Sequence, residues 1–484
     1  MTSDFGIVSF GAYVPRTRLQ RKAVAAANGW FNPGQRGLAK GERSIANWDE
    51  DAITMGVEAA RACLAGLDRG TLGQIVLAST TLPFEDRQNA GVIVSALNLG
   101  STVRTSDTTG SLRAGTSALA AALAGPQDGG ATLVIASDAR KTKAASTQEM
   151  QYGDGAAALL VGRGAPVAKL LGAHTETVDF VHQYRQADHA HDYGWEERWI
   201  RDEGYLKIVP RAVGAVLKKA GADAASVTHF CMPATLSRVG AAVAKKLGLP
   251  EASVRDTLGA GCGDTGAAHA LVMLIDALEN SKAGDRILVA GFGEGCDALL
   301  FEVTPALAQL GARHGVKAAL ARRREDNNYM RFLSFNDLID MERGMRAEVD
   351  KPTPLTVLYR NRDMIQGLVG GKCRQCGTIQ YPRQHYCVNP SCNALHSQDD
   401  YCFAETQGKV MSYTADSLTY SPDPPTYFGM EQFDAGGRMM MDFTDVDPGS
   451  FDVGQKVGMM FRIKDLDPNR GFRRYFWKAA PVQG

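Results

Sequence analysis

Four cysteines carry the most specific chemistry in the chain. Cys373 and Cys376 form a CxxC, and Cys387 and Cys392 follow as CxxxxC after ten intervening residues. Four thiolates on two short knuckles can close a tetrahedral zinc shell. A shell made only of cysteines leaves no position for water, so the spacing points to a structural zinc site rather than a catalytic one. Gly377 supplies the loose turn that brings backbone amides to the sulfurs. His385, between the knuckles, is a packing histidine or a substitute ligand.

A second stretch has the form of a reactive turn without a reactive group. In "SDTTGSLRAGTSALAAAL", residues 106–123, an extended segment ends near Asp107, a turn rich in Gly and Ser follows, and a small-residue helix starts near Ala114. Acyl-transferring enzymes often place a nucleophilic cysteine at such a turn. Here the turn carries Leu112 and Arg113. Arg113 can clamp an anion or pair with an acidic neighbour. Cys231 and Cys262 fall on strand ends or loops; each is an alternative nucleophile if its pKa is lowered, or an inert buried thiol. Asp264, in "GAGCGDTGAAH", is a candidate general base and equally an N-cap for the helix after it. His189, His191 and Asp192, in "RQADHAHDYGWEERW", lie in a polar, aromatic loop that is either a lid or a solvated connection. Tyr184 and Tyr193 in the same segment are candidate phenolic acids. Gly291, Gly293 and Gly295 form "GFGEG", a Gly-rich turn with no helix in the right place for a nucleotide fingerprint.

The elements that must position these residues alternate. "GIVSFGAYVP", "QIVLAST", "ATLVIASD" and "GDGAAALLVGR" read as strands, and "DEDAITMGVEAARACLAGL" as an amphipathic helix with an acidic first turn. The order recurs: "YLKIVPRAVGAVLKKAG" is a helix, "VTHFCMPA" a strand, "GDTGAAHALVMLIDALENS" a long helix, and "DRILVAGFGEGCDALLFEVT" a hairpin. This predicts a layered α/β fold in two repeated halves with largely parallel pairing. Composition changes near residue 320, where "ARRREDNNYMRF" opens a charged stretch and "FLSFNDLIDMERGMRAEV" predicts a helix. The last 80 or so residues alternate in period two, as a small β-barrel does.

The bulk numbers bound the partners. The chain has 484 residues, with Lys plus Arg and Asp plus Glu at 53 each. Zero net charge favours neither nucleic acid nor an anionic membrane. No apolar run is long enough to span a bilayer and the N-terminus does not read as a signal peptide. Nine cysteines, four of them at metal spacing, fit a reducing, cytoplasmic setting better than a disulfide framework.

With "AYVPR", "DEDAITMGVEAAR", "GDGAAALLVG" and "AGDRILVAGFGEGCDA" in this order, residues 4–315 resemble the thiolase superfamily. The resemblance is to 3-hydroxy-3-methylglutaryl-CoA synthase of the archaeal type, then to ketoacyl synthase III. From about residue 328, "CRQCG", "YPR" and "FWKAAPV" resemble the zinc-ribbon and OB-fold acyl-CoA-binding proteins that accompany thiolases. The resemblance implies a five-layered thiolase fold in halves 1–165 and 166–318. A linker helix and rubredoxin-like zinc ribbon over 319–400 and an OB-fold barrel over 401–484 would follow. It also implies an acyl-CoA substrate and a homodimer.

Matched to the family's motifs, the chain departs at each catalytic position. The nucleophile falls at Leu112, the histidine at Pro233 with His229 four residues earlier, the glutamate near Leu82 with Glu85 beyond it, and the oxyanion-holding asparagine at Asp264. Three readings remain. One is aldol-type C–C bond making or breaking beside a CoA thioester without a cysteine acyl-enzyme, with Asp264 as base and Arg113, His191 or a tyrosine assisting. Another is a non-catalytic subunit that scaffolds a thiolase partner. The third is an acyltransferase using Cys231 or Cys262.

Overall fold

Strands covered on both faces need apolar runs without polar alternation. In the computed structural model such runs lie at the centre of a nine-stranded sheet. Residues 4–126, 129–311 and 313–482 are described; residues 1–3 of the N-terminal stretch fall outside. The strands are β1 (Phe5–Tyr13), β2 (Leu72–Ala78), β3 (Arg104–Thr108), β4 (Ala131–Asp138), β5 (Gly155–Arg163), β6 (Ala168–Thr177), β7 (His229–Cys231), β8 (Arg286–Phe292) and β9 (Gly295–Val303). Their order is β7-β8-β9-β6-β1-β5-β4-β2-β3.

The repeated order of elements is a repeated topology. β1 pairs antiparallel with β5, β5 antiparallel with β4, and β4 parallel with β2. β6, β9, β8 and β7 pair in the same three senses. Within the sheet the two halves are joined through β1 and β6, where Ile7 pairs with Ala168. The expectation of largely parallel pairing is corrected: the sheet is mixed. β9 returns from β8 through a two-residue turn, and so tight a connection joins only antiparallel neighbours.

Four helices complete the layers: α1 (Ala52–Leu64), α2 (Ala114–Ala124), α3 (Val209–Ala220) and α4 (His269–Glu279). One buried cluster joins Ala114, Ala118 and Leu119 of α2 and Leu271, Met273 and Leu274 of α4 to strands of both halves. A second packs Val209, Val213 and Val216 of α3 against Leu288 and Leu300. α1 covers the remaining face, where the Ser9 hydroxyl donates to the Cys63 carbonyl at 2.6 Å. The result is the five-layered, thiolase-like α/β arrangement.

α1 differs from its expected amphipathic form, since every position but Arg61 is buried. Its cap is Asp51, whose carboxylate accepts from the Ile53 and Thr54 amides while the Asp51 amide donates to the Thr54 hydroxyl. The acidic pair before it, Asp49 and Glu50, belongs elsewhere. There Lys478 Nζ lies 2.8 Å from Asp49 and Arg462 lies 3.2 Å from Glu50.

The chain divides into two compact units: Met1–Asn47 with Asp51–Ala90 and Ser101–Leu338, and Trp48–Glu50 with Gly91–Gly100 and Ile339–Gly484. The first contains the nine-stranded sheet. The helix expected in "FLSFNDLIDMERGMRAEV" is corrected to a short one, Tyr329–Phe335. Asn336 ends it by donating its side-chain amide to the Phe332 carbonyl, and Asp337 turns left-handed at φ 57°.

In the second unit β10 (Val369–Cys373), β11 (Ile379–Gln380) and β12 (Gln398–Cys402) form a small sheet that carries the cysteines. β13 (Gln407–Asp416), β14 (Thr426–Phe433), β15 (Arg438–Asp442), β16 (Lys456–Asp467) and β17 (Phe472–Pro481) form an antiparallel sheet in the order β15-β14-β13-β16-β17. A bridge between Phe443 and Ala479 nearly closes it into a barrel. Val457, Met459 and Phe461 point inward at alternate positions, as period-two patterning predicts. Among the described residues, no helix is long and apolar enough to cross a membrane.

Candidate functional site

The turn into α2 stands against the β8–β9 hairpin. A Cβ on Gly293 would lie 2.7 Å from Ser111 Oγ and 3.0 Å from the Arg113 amide, and one on Gly291 would lie 2.3 Å from Thr116 Oγ1. Glycine at these two positions is what lets the hairpin press on the turn. Gly295 completes the hairpin at φ 119°. Leu112 is half-buried at the head of α2, and Leu82 and Pro233 are half-buried in their own loops; Glu85 is exposed.

Arg113 faces inward rather than toward an open anion site. Its Nε donates to the Gly293 carbonyl at 2.8 Å and its Nη1 lies 3.1 Å from the buried Asp297 carboxylate. Thr116, Ser117 and Thr175 also donate to Asp297. Of its two expected roles, this geometry displays pairing with an acidic neighbour.

Sequence reasoning missed the groups that do converge beside the turn. Glu294, at the hairpin tip with φ 44°, accepts from the Ser111 hydroxyl at 2.6 Å. Burial raises its carboxyl above the ordinary value, against the opposing Ser111 bond and Arg113 charge. His182 is 6 % exposed, with Nδ1 3.6 Å from Glu294 and no hydrogen-bond partner at either ring nitrogen. Its ring lies 5.2 Å from that of Phe292, which also meets Tyr205 at 4.4 Å. Burial, and then the nearby Arg140 charge, lowers His182 to about 4. The only sequence signal was Glu294 itself, a charge in the middle of a glycine turn.

Asp264 joins this cluster through Arg140. The Arg140 guanidinium pairs with the Asp264 carboxylate, donates to the Asp264 carbonyl at 2.8 Å and covers the Tyr152 ring at 3.6 Å. Burial would raise the Asp264 carboxyl, but Arg140, His269 and the Gly266 amide outweigh it and hold it below the ordinary value. Asp264 also accepts from the Gly266 amide at 2.9 Å, a local cap ahead of α4.

The remaining candidates are separate. Cys262 is buried with its thiol on the Leu258 and Gly263 carbonyls, and burial raises it to about 12. Cys231 is buried in the central core and donates to the Met273 carbonyl at 3.4 Å; burial raises it further. His229 pairs with Ile287 at the start of β8, at the opposite end of that strand from the hairpin, 3.7 Å from Asp285. His191 is half-buried in the 183–195 loop. That loop is held by Arg185, which reaches Asp192 at 2.5 Å and donates to the Thr80 carbonyl.

Cys373, Cys376, Cys387 and Cys392 place all four sulfurs within 4.8 Å of one another. The Cys376–Cys387 separation is 3.5 Å and Cys373–Cys392 is 3.9 Å. Ser397 Oγ lies 3.2 Å from the Cys373 sulfur, and Asn389 donates toward Cys376 at 3.8 Å. Four converging sulfurs with outer donors fit a tetrahedral zinc shell.

The buried imidazole makes stability depend on pH. Unfolded, His182 protonates near 6.5; folded, only near 4. Between these values the unfolded state holds the extra proton, so this contribution is complete above pH 6.5 and is lost as pH falls toward 4. The expected loss is about 3 kcal/mol. Urea unfolding at pH 7 and pH 4.5 should show it, and His182→Phe should remove that part of the difference.

The C-terminal domain model of 3-oxoacyl-[acyl-carrier-protein] synthase III matches residues 217–302, and the rubredoxin-like zinc ribbon model of ChsH2 matches residues 364–394. Hydroxymethylglutaryl-CoA synthase of Aeropyrum pernix is 30 % identical over 318 residues, 63 % of this chain and 87 % of that protein. The enzyme of the same name from Methanosarcina mazei is 28 % identical over 312 residues, 62 % of this chain and 88 % of that protein. A solved structure described as MvaS in complex with 3-hydroxy-3-methylglutaryl coenzyme A superposes with a TM-score of 0.60 at 20 % identity, covering 73 % of this chain and 94 % of that one. The 3-oxoacyl-[acyl-carrier-protein] synthase III of Aquifex aeolicus superposes with a TM-score of 0.53 at 23 % identity, covering 62 % of this chain and 99 % of that one.

Proposed function

Because the chain belongs to the hydroxymethylglutaryl-CoA synthase family of thiolase-like proteins, we propose that it makes or breaks a C–C bond beside a CoA thioester by proton transfer, without an acyl-enzyme. One observation carries this reading. The thiols of the first unit, Cys63, Cys231, Cys262 and Cys296, are all buried with burial-raised pKa values, while a buried imidazole stands 3.6 Å from a raised carboxyl beside the turn that lacks a thiol. Raised thiols are poor nucleophiles. A buried His–Glu pair of this kind suits general acid–base work.

In the cleavage direction the substrate is a 3-hydroxyacyl-CoA. The Glu294–His182 pair takes the hydroxyl proton, the C–O bond becomes a carbonyl, and the Cα–Cβ bond breaks. Its electrons pass into the thioester enolate, and the proton returns to Cα. The products are a carbonyl compound and a shortened CoA ester, with no further reactant. The N-terminus of α2 favours the negative charge that develops next to it. Arg140, fixed by Asp264, adds positive charge nearby.

Release of the carbonyl product from a 3-hydroxyacyl-CoA by the purified chain alone tests this reading. A second reading, a subunit that passes CoA esters to a thiolase partner, is favoured by one observation: Arg113 and Asp264 are already paired, with Asp297 and Arg140. Turnover only when a thiolase is added would select it.

A further inference from the structure

One acid inside the C-terminal barrel has nothing to neutralise it. Glu431 lies on β14 with its side chain fully buried, and neither carboxylate oxygen has a hydrogen-bond partner among the described residues. It points inward, as Phe433 does two residues on. Val410 of β13 and Met439 of β15 are its cross-strand partners, and both are buried. Gly408 makes room for it: a Cβ there would lie 2.3 Å from Glu431 Oε1.

Among the described residues no cation faces this carboxyl. Lys409 of β13 and Arg438 of β15 are exposed, at positions that alternate with the buried ones, and Arg438 is bound to Gln432. Lys456 at the start of β16 and Glu405 in the turn before β13 are exposed as well. Farther along β16 and β17, Arg462 and Lys478 are held by Glu50 and Asp49, Lys464 by Asp442 and Arg474 by Asp465. Tyr413 and Tyr427 pack with Phe451 and are uncharged at neutral pH. Asp434, three residues on, is exposed and has the same sign as Glu431. Burial first, and then Asp434, raise the Glu431 carboxyl to about 8. A buried carboxylate without donors or a cation is costly, so the closed barrel holds Glu431 as the neutral acid at pH 7.

The strand beside Glu431 is also a free edge. β15 and β17 are the two ends of the sheet order and share no ladder. The gap is closed just past β15, where the Thr444 amide donates to the Ala479 carbonyl at 2.9 Å. β15 follows β14 through Gly436 and Gly437, which turn left-handed at φ 114° and 89°. A short edge strand held this way opens before the strands inside the sheet do.

We propose that Glu431 is a proton latch on this seam: protonated, it keeps β15 closed over the barrel interior, and its ionisation frees β15 and lets water in. The open form hydrates the carboxylate, so ionisation favours it. In the open form the carboxyl ionises at its ordinary value of 4.5, and in the closed form near 8. The closed form therefore holds the extra proton between these values. Closure is strongest below pH 4.5 and weakens about tenfold per pH unit up to 8. The latch lies in the second unit and does not depend on the chemistry proposed for the first.

Hydrogen exchange read by mass spectrometry on the whole zinc-loaded chain tests it. After correction for the intrinsic exchange rate, the opening constant of Arg438–Asp442 should rise about hundredfold from pH 5.5 to pH 7.5. Glu431→Gln should hold that constant level over the same range. Glu431→Met, with no polar group left in the barrel at this position, should do the same. An opening constant that stays level in the wild-type chain, or that rises as steeply in both variants, overturns the latch. An equal rise over β4 and β5 of the nine-stranded unit also overturns it, because the opening would then be global.

Discussion

Cys387→Ser is expected to release zinc and unfold the ribbon while leaving the nine-stranded unit intact. Cys387 is fully buried and is one of four sulfurs within 4.8 Å of each other. Three short strands support them, the smallest being the two residues Ile379–Gln380. So small a sheet buries little apolar surface, and metal binding must supply most of its folding energy. In zinc-finger peptides that energy is of order 10–16 kcal/mol. Elemental analysis should find one zinc per wild-type chain and none in the variant. Hydrogen exchange should lose protection over Val369–Cys373 and Gln398–Cys402 and retain it over β4 and β5. Zinc retained by the variant, or protection kept without metal, would contradict the assignment.

His182→Ala is expected to lower turnover by about 10²–10⁴-fold, the usual size of a general acid–base contribution. The loss should fall on kcat more than on KM, because a proton-transferring group acts on the transition state. Glu294→Gln should produce a loss of similar size, and the double variant should add little to either, since the two groups act as a pair 3.6 Å apart. Steady-state kinetics on a 3-hydroxyacyl-CoA measures all three. Additive losses would mean that the two residues serve different steps. Activity near wild type in His182→Ala would remove the imidazole from the mechanism.

The parts legible in the sequence are those whose cause is local. Cysteine spacing located the metal cluster because a knuckle is a few residues long. The "GFGEG" hairpin and the repeated strand order were readable for the same reason. The candidate site was not, because its partners meet only through the fold. Arg140 finds Asp264 across 124 positions, and Arg113 finds Asp297 across 184. Arg113 therefore read equally as an anion clamp or as one half of an ion pair, and only the fold supplies the partner, Asp297 on β9. His182 carried no spacing signal at all; it sits in "DFVHQYR", which has no motif. α1 and the stretch after Phe335 show the converse limit. A polar pattern predicted an exposed helix face in one and helix continuation in the other. Enclosure by neighbouring layers decided the first, and an asparagine competing for backbone carbonyls decided the second.

The central claim is chemistry on a CoA ester without a covalent acyl-enzyme. Intact-protein mass spectrometry, on samples quenched during turnover of a 3-hydroxyacyl-CoA and after incubation with acetyl-CoA and acetoacetyl-CoA, tests it most directly. The predicted result is an unmodified chain mass while product accumulates. A mass increase equal to the acyl group, mapped by digestion to Cys231, Cys262 or any other cysteine, would contradict it.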